Sequence, residues 1–396
     1  MKFIHAGDLH LGNAFLDLSQ LPEWVLENVQ SATMRALESL IDTAIHAQVD
    51  MILFPGDIYD THVLNPHIQW LFQHQMERLL AAHIPVVLGF GNHDYTDTVN
   101  EQLHLPKNVT VLANQVQTVR LVTQNGENVA ISGFSYPQRH LQTSLVADFP
   151  DRQAGEDFHI GMYHGAQDHG DYAQFTLSDL NHKHYQYWAL GHIHVRQTLQ
   201  AEPFIGYSGN LQGLNRTEIG PKGFYLVQSN QQGQLIPEFQ ACAPVIWTQV
   251  HVQLTDQMNW AEVIDQIRNQ IQRHNKFQLV EIDVEQTPQK LVAGLQSAAF
   301  MNQLAERSQV TDNFWIHRVE VKMTVQGSQL MELGAENWQA QKQGLVTSAH
   351  LEDLGLKLVD DLELYDYFQK SKTHQDIEQA MDEVIQAIQR GQWHAD

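Results

Sequence analysis

Cysteine and long apolar runs are the scarcest features of this 396-residue sequence. Cys242 is the only cysteine, so a disulfide within the chain is excluded. No apolar run approaches the ~18 residues that cross a bilayer, which argues against a membrane-spanning helix. The sequence enters a strand-like segment at Lys2–Ala6 and shows no secretion signal. We therefore expect a cytoplasmic protein with no membrane association.

Positive charge is scarce as well. The sequence has 23 lysines and arginines against 46 aspartates and glutamates, a formal net charge of −23. This balance argues against broad electrostatic capture of nucleic acid, which needs clustered basic residues. A phosphate substrate stays compatible with it, because two bound divalent cations would add about four positive charges at one point.

The first part of the chain has the pattern of an α/β domain. Residues 1 to about 150 alternate strand and helix patterns, which indicates parallel βαβ units. Helices are predicted over Val29–Ala47 and Asn65–His83, the second with Asn65 as N-cap and Pro66 at its first position. Asn125-Gly126 between β-rich runs predicts a hairpin. Residues 1–242 are therefore interpreted as one α/β domain with a partly antiparallel second sheet.

Two further regions follow in the sequence. Residues 243–325 have the pattern of a small α+β domain, in which one helix is predicted over Lys290–Ala305. Residues 326–396 are acidic and are predicted to be helical. They carry an apolar stripe that either packs against the chain's own body or docks a partner, formed by Ile377, Met381, Val384, Ile385 and Ile388.

Five short polar motifs carry the chemical information. Each follows an apolar, strand-like run, and in open α/β sheets ligands bind beyond the carboxyl ends of the strands. Taken singly, most of them are explained as well by turn-capping aspartates and packing histidines. Occurring together in this order, they favour a metal site. The motifs are Asp8-Leu9-His10, Gly56-Asp57-Ile58-Tyr59-Asp60, Gly91-Asn92-His93-Asp94, His164 in Met162-Tyr163-His164-Gly165, and Gly191-His192-Ile193-His194.

This series resembles the motifs of the calcineurin-like metallophosphoesterases. The opening Ile4–Gly12 is similar to the SbcD-type DNA repair nucleases, and the segments Tyr207–Gly213 and Gly220–Val227 are similar to their bacterial YhaO-like branch. The resemblance implies a two-sheet αββα sandwich over residues 1 to about 230. It also implies a small capping domain, which in SbcD-type nucleases helps to hold DNA, and a helical C-terminal region.

The resemblance implies two metal sites that share one carboxylate. Asp8, His10, Asp57 and His194 would hold one ion, and the other would be held by Asp57, Asn92, His164 and His192. Carboxylate, amide and imidazole ligands without thiolate suit manganese, with iron and zinc as alternatives. A pair of such ions about 4 Å apart activates a water for attack on a phosphate ester.

His93 is not needed as a ligand. In the family, the equivalent histidine contacts the substrate phosphate or protonates the leaving oxygen, and we predict that catalytic role for His93. Asp60 is the predicted carboxylate partner that orients His93, although some nuclease relatives have a histidine there. Asp60 could instead cap a turn. Asp94 is the other candidate for the orienting role, or it closes the turn.

The leading functional hypothesis is a metal-dependent DNA exonuclease for repair or end processing. The resemblance implies an SbcC-like or YhaN-like coiled-coil ATPase as partner, and this sequence has no Gly-x-x-x-x-Gly-Lys-Ser/Thr motif of its own. Relatives often form homodimers through helices such as Asn65–His83. The alternatives are a phosphodiesterase or phosphatase for small phosphate esters, and an inactive nucleic-acid-binding subunit.

Overall fold

The fold is built on stacked β-sheets flanked by helices. The computed structural model describes residues 1–322, apart from gaps at 16–17, 19–20, 62–64, 96–104, 168–169, 286 and 309–311. In these residues the strands form two six-stranded sheets and one three-stranded sheet. The predicted helical region 326–396, with its apolar stripe and docking role, lies outside the described residues. The domain boundaries at 242/243 and 325/326 stay predictions.

The first sheet has the strand order β12-β11-β1-β2-β3-β4. Strands β1 to β4 run parallel, whereas β11 pairs antiparallel with both β1 and β12. Every residue of β2 is buried, as expected for a parallel strand covered on both faces. The strands are β1 (Lys2–His5), β2 (Met51–Phe54), β3 (Val86–Leu88), β4 (Val109–Val111), β11 (Gly223–Ser229) and β12 (Leu235–Ala241).

The second sheet has the order β5-β6-β7-β8-β10-β9, with its central strands parallel and each edge strand antiparallel to its neighbour. The predicted hairpin turn at Asn125-Gly126 connects β5 to β6. The strands are β5 (Gln117–Val122), β6 (Asn128–Gly133), β7 (Phe158–His164), β8 (Tyr187–Gly191), β9 (Gln197–Ala201) and β10 (Phe204–Tyr207).

Helices cover the outer face of the first sheet, and an apolar layer joins the two sheets. The helices of this part are α1 (Glu23–Gln30), α2 (Ala32–Ala47), α3 (Pro66–Ala81) and α4 (Leu177–His182). The Asn65 side chain accepts from the His67 amide, so the predicted N-cap of α3 is confirmed. Phe3, Leu53 and Ile160 pack in the layer between the sheets. The predicted αββα sandwich is therefore confirmed.

The third sheet, β13-β14-β15, has parallel strands connected by helices. One predicted helix, Lys290–Ala305, is divided in two. Ser297 is extended between the halves, and its hydroxyl accepts from the Phe300 amide, so it caps the second half. Within the described ranges, none of the helices is long and apolar enough to cross a bilayer. The elements are β13 (Val245–Gln253), α5 (Trp260–Gln270), β14 (Phe277–Glu285), α6 (Gln289–Leu295), α7 (Ala298–Glu306) and β15 (Phe314–Val321).

Candidate metal centre

The predicted ligands converge where the parallel strands of both large sheets end. In the first sheet, Asp8 and His10 follow β1, Asp57 follows β2 and Asn92 follows β3. In the second sheet, His164 is the last residue of β7, and His192 and His194 follow β8. Strands far apart in sequence thus bring carboxylate, amide and imidazole groups to one edge.

One group of donor atoms comes from Asp8, His10 and His194, whose ligand atoms lie within 4.8 Å of one another. The Nε2 atoms of His10 and His194 are 2.9 Å apart. Asp8 is fully buried, and its Oδ2 has no hydrogen-bond partner among the described residues. A buried carboxylate oxygen without a partner is costly, so its presence in a carboxylate close to two imidazoles suggests a bound cation.

The facing imidazoles of His10 and His194 also indicate a cation. Nδ1 of His10 is 3.1 Å from Asp60 Oδ1, and Nδ1 of His194 is 2.8 Å from Glu218 Oε1. An ionised carboxylate only accepts hydrogen bonds, so each Nδ1 carries the hydrogen and neutral rings would direct two Nε2 lone pairs at each other. That contact is repulsive unless a proton or a metal ion lies between them. In metal sites, a ligating histidine commonly donates the hydrogen of its other ring nitrogen to a carboxylate in this way.

The second group of donor atoms centres on Asp57 and His164. Asp57 Oδ2 is 3.4 Å from His164 Nε2 and 3.7 Å from His10 Nε2, so the Asp57 carboxylate lies between the two groups. Asn92 Oδ1 is 2.9 Å from His164 Nε2 and 3.0 Å from His192 Nδ1. Asp57 is thus placed as the predicted shared ligand must be, and Asn92 is placed as the predicted amide ligand of one ion must be.

Several of these residues have an unusual backbone conformation. Asp8, His10, Asp57 and His192 have φ values of 53°, 44°, 50° and 100°, in the left-handed region that L side chains rarely adopt. Each such residue costs of the order of 1–3 kcal/mol and persists only where its surroundings enforce it. Main-chain bonds do so here: the Asp8 amide donates to Gly56 O and the His10 amide to Asp57 O. Strain of this kind clusters at functional sites.

The charges at the centre shift the pKa values of its own groups. Burial lowers the pKa of His10, but Asp60, Asp57 and Asp8 outweigh it and raise the pKa to about 9. Burial raises the pKa of Asp57, but His164 and His10 hold it well below its usual range. Burial and the neighbouring His164 lower the pKa of His192 to about 3. An ionised Asp57 and a neutral His192 are the forms that bind metal.

His93 and Asp60 are adjacent, but their contact differs from the predicted one. His93 is exposed, and its Nδ1 is 3.0 Å from the main-chain carbonyl of Asp60. The Asp60 carboxylate contacts His10 and accepts from Asn13 Nδ2 at 2.9 Å. Asp60 therefore holds His93 through its backbone carbonyl, and its side chain contacts His10, a predicted metal ligand.

Asp94 closes turns and does not orient His93. Its Oδ1 accepts from the Gly91 amide at 2.7 Å, and its Oδ2 accepts from the amides of Ile58 and Tyr59 at 2.7 and 3.1 Å. Burial and the nearby Asp57 raise the pKa of Asp94 to about 7. It joins the loops that carry Asp57 and Asn92.

Two residues beside the centre were missed by the sequence analysis. Glu218 holds His194, and Tyr172 packs on His192 with ring centroids 4.6 Å apart. Burial raises the pKa of Glu218, but its hydrogen bond and charge interaction with His194 lower it to about 2. Both residues lie outside the motifs, in loops, and no local pattern marks them.

Comparison with known proteins places this chain in a family. Residues 1–196 match the calcineurin-like phosphoesterases. The chain is 35% identical over 282 residues to the uncharacterised metallophosphoesterase YhaO of Bacillus subtilis, covering 70% of this chain and 69% of that protein. It thus belongs to the calcineurin-like metallophosphoesterases and is a phosphoesterase by family.

More distant relatives place it in the SbcD/Mre11-like group. The DNA double-strand break repair protein Mre11 of Thermoplasma acidophilum is 26% identical over 225 residues, which cover 54% of this chain and 57% of that protein. One subunit of the nuclease SbcCD of Escherichia coli is 29% identical over 116 residues, covering 29% and 27%. The family and the clustered donors together support two divalent metal ions.

Proposed function

We propose that this chain is a cytoplasmic, metal-dependent DNA nuclease that degrades DNA from ends during repair or end processing. The observation that carries the proposal is the convergence of the donor groups around Asp57, with the exposed His93 beside them. It is supported by the similarity to an archaeal DNA repair protein and to part of a bacterial nuclease.

The residues divide into two overlapping ligand sets. We assign Asp8, His10, Asp57 and His194 to one metal, and Asp57, Asn92, His164 and His192 to the other. Manganese suits this oxygen and imidazole donor set. When bound, two such ions would lower the pKa of a water and neutralise charge on the phosphate oxygens.

His93 acts on the substrate in this proposal. Its Nδ1 donates to the Asp60 carbonyl, which fixes the ring and leaves Nε2 for a phosphate oxygen or the departing oxygen. His93 is exposed, whereas Asp8, His10, Asp57, Asn92 and His164 are buried, and this exposure suits a group that must meet an incoming polymer. Removal of a general acid of this kind slows a reaction by about 10²–10⁴-fold.

An SbcC-like or YhaN-like coiled-coil ATPase is the proposed partner. The name of one relative describes it as a subunit of the nuclease SbcCD, which therefore contains more than one kind of chain. This sequence has no Gly-x-x-x-x-Gly-Lys-Ser/Thr nucleotide-binding motif of its own, so a separate chain would carry out ATP-driven steps. Residues 326–396 are the proposed docking region.

A manganese-supplemented assay tests the function. Purified chain is incubated with linear duplex, single-stranded and closed circular DNA, and with bis(p-nitrophenyl) phosphate. We expect linear DNA and the small diester to be hydrolysed and circular DNA to survive. Hydrolysis of the small diester alone would favour the small-ester phosphodiesterase, and no hydrolysis of any substrate by manganese-loaded protein would favour the inactive nucleic-acid-binding role.

The variant His93→Ala separates chemistry from metal binding. We expect hydrolysis to fall by about 10²–10⁴-fold while manganese content, measured by atomic absorption, stays at the wild-type level. Asp57→Asn is the matched comparison, since it should lose both metal and activity. Loss of metal from His93→Ala would show that His93 is a ligand.

A further inference from the structure

Glu218 is a buried carboxylate outside every sequence motif. It is 8% exposed and lies in the connection between β10 and β11. Its Oε1 accepts from Asn215 Nδ2 at 2.9 Å and contacts His194 Nδ1 at 2.8 Å. Its Oε2 accepts from Asn210 Nδ2 at 2.6 Å and from the Leu214 amide at 2.8 Å. Both oxygens are thus satisfied, and the carboxylate has one fixed orientation.

The connection that carries Glu218 is anchored to the third sheet. Trp247 Nε1 donates to the Gly213 carbonyl at 2.9 Å, and the Gly220 amide donates to the Trp247 carbonyl at 3.0 Å. Gln212 Nε2 donates to the Val245 carbonyl at 2.9 Å. A Cβ at Gly213 would lie 2.9 Å from both Glu218 O and Trp247 Cδ1, so the loop and the sheet are in close contact.

We infer that Glu218 is a positioning residue that holds the His194 imidazole with its Nε2 directed at the metal centre. The inference rests on the proposed metal centre and identifies what keeps one ligand in place. A carboxylate that accepts a hydrogen bond from Nδ1 fixes the tautomer and the ring orientation of the imidazole. It also makes the Nε2 lone pair more basic and therefore a stronger metal ligand. His194 needs this support because its side chain is 27% exposed, whereas that of His10 is only 1% exposed.

The backbone of His194 is held from the same region. Lys222 Nζ donates to the His194 carbonyl at 2.9 Å, and the Asn210 amide donates to the same carbonyl at 3.3 Å. The connection between β10 and β11 therefore contacts both the main chain and the side chain of His194. By comparison, Nδ1 of His10 contacts the carboxylate of Asp60, which lies in the loop that follows β2 of the same sheet.

Manganese titration of the EDTA-stripped chain tests this role. We expect the wild type to bind two ions and Glu218→Gln to bind one of them 10–100-fold more weakly. Excess manganese should restore much of the hydrolysis of bis(p-nitrophenyl) phosphate. The matched control is Glu285→Gln, a half-exposed carboxylate on β14 that contacts His251 and should bind both ions as the wild type does.

A second, milder variant keeps the test decisive if Glu218→Gln fails to fold. Asn215→Ala removes one donor to Oε1 at a half-buried position and should weaken the same site several-fold. If Glu218→Gln folds and binds two ions with wild-type affinity, Glu218 has no positioning role. If Glu218→Gln does not fold, wild-type affinity of Asn215→Ala for both ions leads to the same conclusion. If the wild type itself binds no metal, the proposed centre is wrong, which is a distinct outcome.

Discussion

At the scale of single residues, His5 is a buried histidine that takes no part in the proposed chemistry. Its Nε2 is 3.0 Å from the Leu190 carbonyl and its Nδ1 is 3.0 Å from the Tyr187 hydroxyl. A carbonyl only accepts, so Nε2 carries the hydrogen and Nδ1 accepts from the hydroxyl. Burial lowers the pKa of His5 from 6.5 to about 4, although the bond to Leu190 opposes the shift.

This shift makes the free energy of unfolding sensitive to acid. Above pH 6.5 the ring is neutral in both states and contributes no pH dependence. Between pH 6.5 and 4 the unfolded chain binds a proton that the folded chain does not, so stability falls as the pH falls. From pH 7 to 5 the loss is about 2 kcal/mol. We expect His5→Gln to remove that part of the acid sensitivity, measured by urea unfolding at both pH values.

The control for this measurement is His46→Gln, at an exposed position on α2. It removes an imidazole without opening the core. If His5→Gln and the wild type lose the same stability between pH 7 and 5, the buried ring is not the cause.

The predictability of individual residues depends on how local their signal is. Asp57 and His93 could be predicted as site residues because each lies in a short motif directly after an apolar strand. Glu218 could not be predicted in this way, because β9 and β10 separate it from its partner His194 and the contact exists only once the chain has folded. The main-chain contact from Asp60 to His93 was hidden for a similar reason, since a sequence shows side chains and not carbonyl directions.

At the scale of elements, the turn after β3 must approach the centre closely. A Cβ at Gly91 would lie 2.2 Å from Asp57 Oδ1 and 2.6 Å from His164 Cε1, closer than atoms can pack. We expect Gly91→Ala to displace Asp57, to reduce manganese affinity at both sites, and to reduce diester hydrolysis by at least about 10²-fold, in line with misplacement of a reacting group.

Gly126→Ala provides the matched comparison for this substitution. Gly126 has φ of +85° in the turn from β5 to β6, and a Cβ there would meet nothing within 4 Å. It should cost about 1 kcal/mol of stability through backbone strain and leave metal affinity unchanged. Wild-type manganese binding by Gly91→Ala would contradict the geometry of the centre.

Strands and helices with strong periodicity were predictable, and breaks within them were not. Asn65 and Pro66 mark the start of α3 because capping chemistry is local. The break at Ser297 was missed because the apolar periodicity of Lys290–Ala305 continues across it. The short strand β4 was also missed, since three half-buried residues carry little pattern.

At the scale of the whole molecule, the net charge of −23 constrains how DNA could bind. If the metals and a few basic groups provide the contacts, few counterions are released. The slope of log K against log salt for the free chain should then be shallower than about −3, as for roughly three phosphates or fewer. Fluorescence anisotropy with the His93→Ala variant measures binding without cleavage. A slope of about −6 or steeper would indicate a basic surface that our proposal does not contain.

The way the third sheet joins the rest was beyond sequence reasoning. Its apolar face, which includes Trp247 and Leu279, packs against Phe15, Val25 and Leu214 of the first 242 residues. In the sequence, each of these residues is an ordinary apolar core position. A single sequence does not indicate which apolar face packs against which other one. The alternation of strands and helices could indicate that a second unit exists, but not which surface it meets.

The position of β1 in the first sheet has a consequence for biosynthesis. The first two proposed ligands, Asp8 and His10, follow β1. This strand lies between β2 and β11, and β11 leaves the ribosome much later than β1. A nascent chain would hold the N-terminal half of the proposed ligands before His192 and His194 emerge. Early translation intermediates would therefore offer ions only incomplete coordination, and the proposed ion sites would be complete only after the second sheet has supplied His164, His192 and His194.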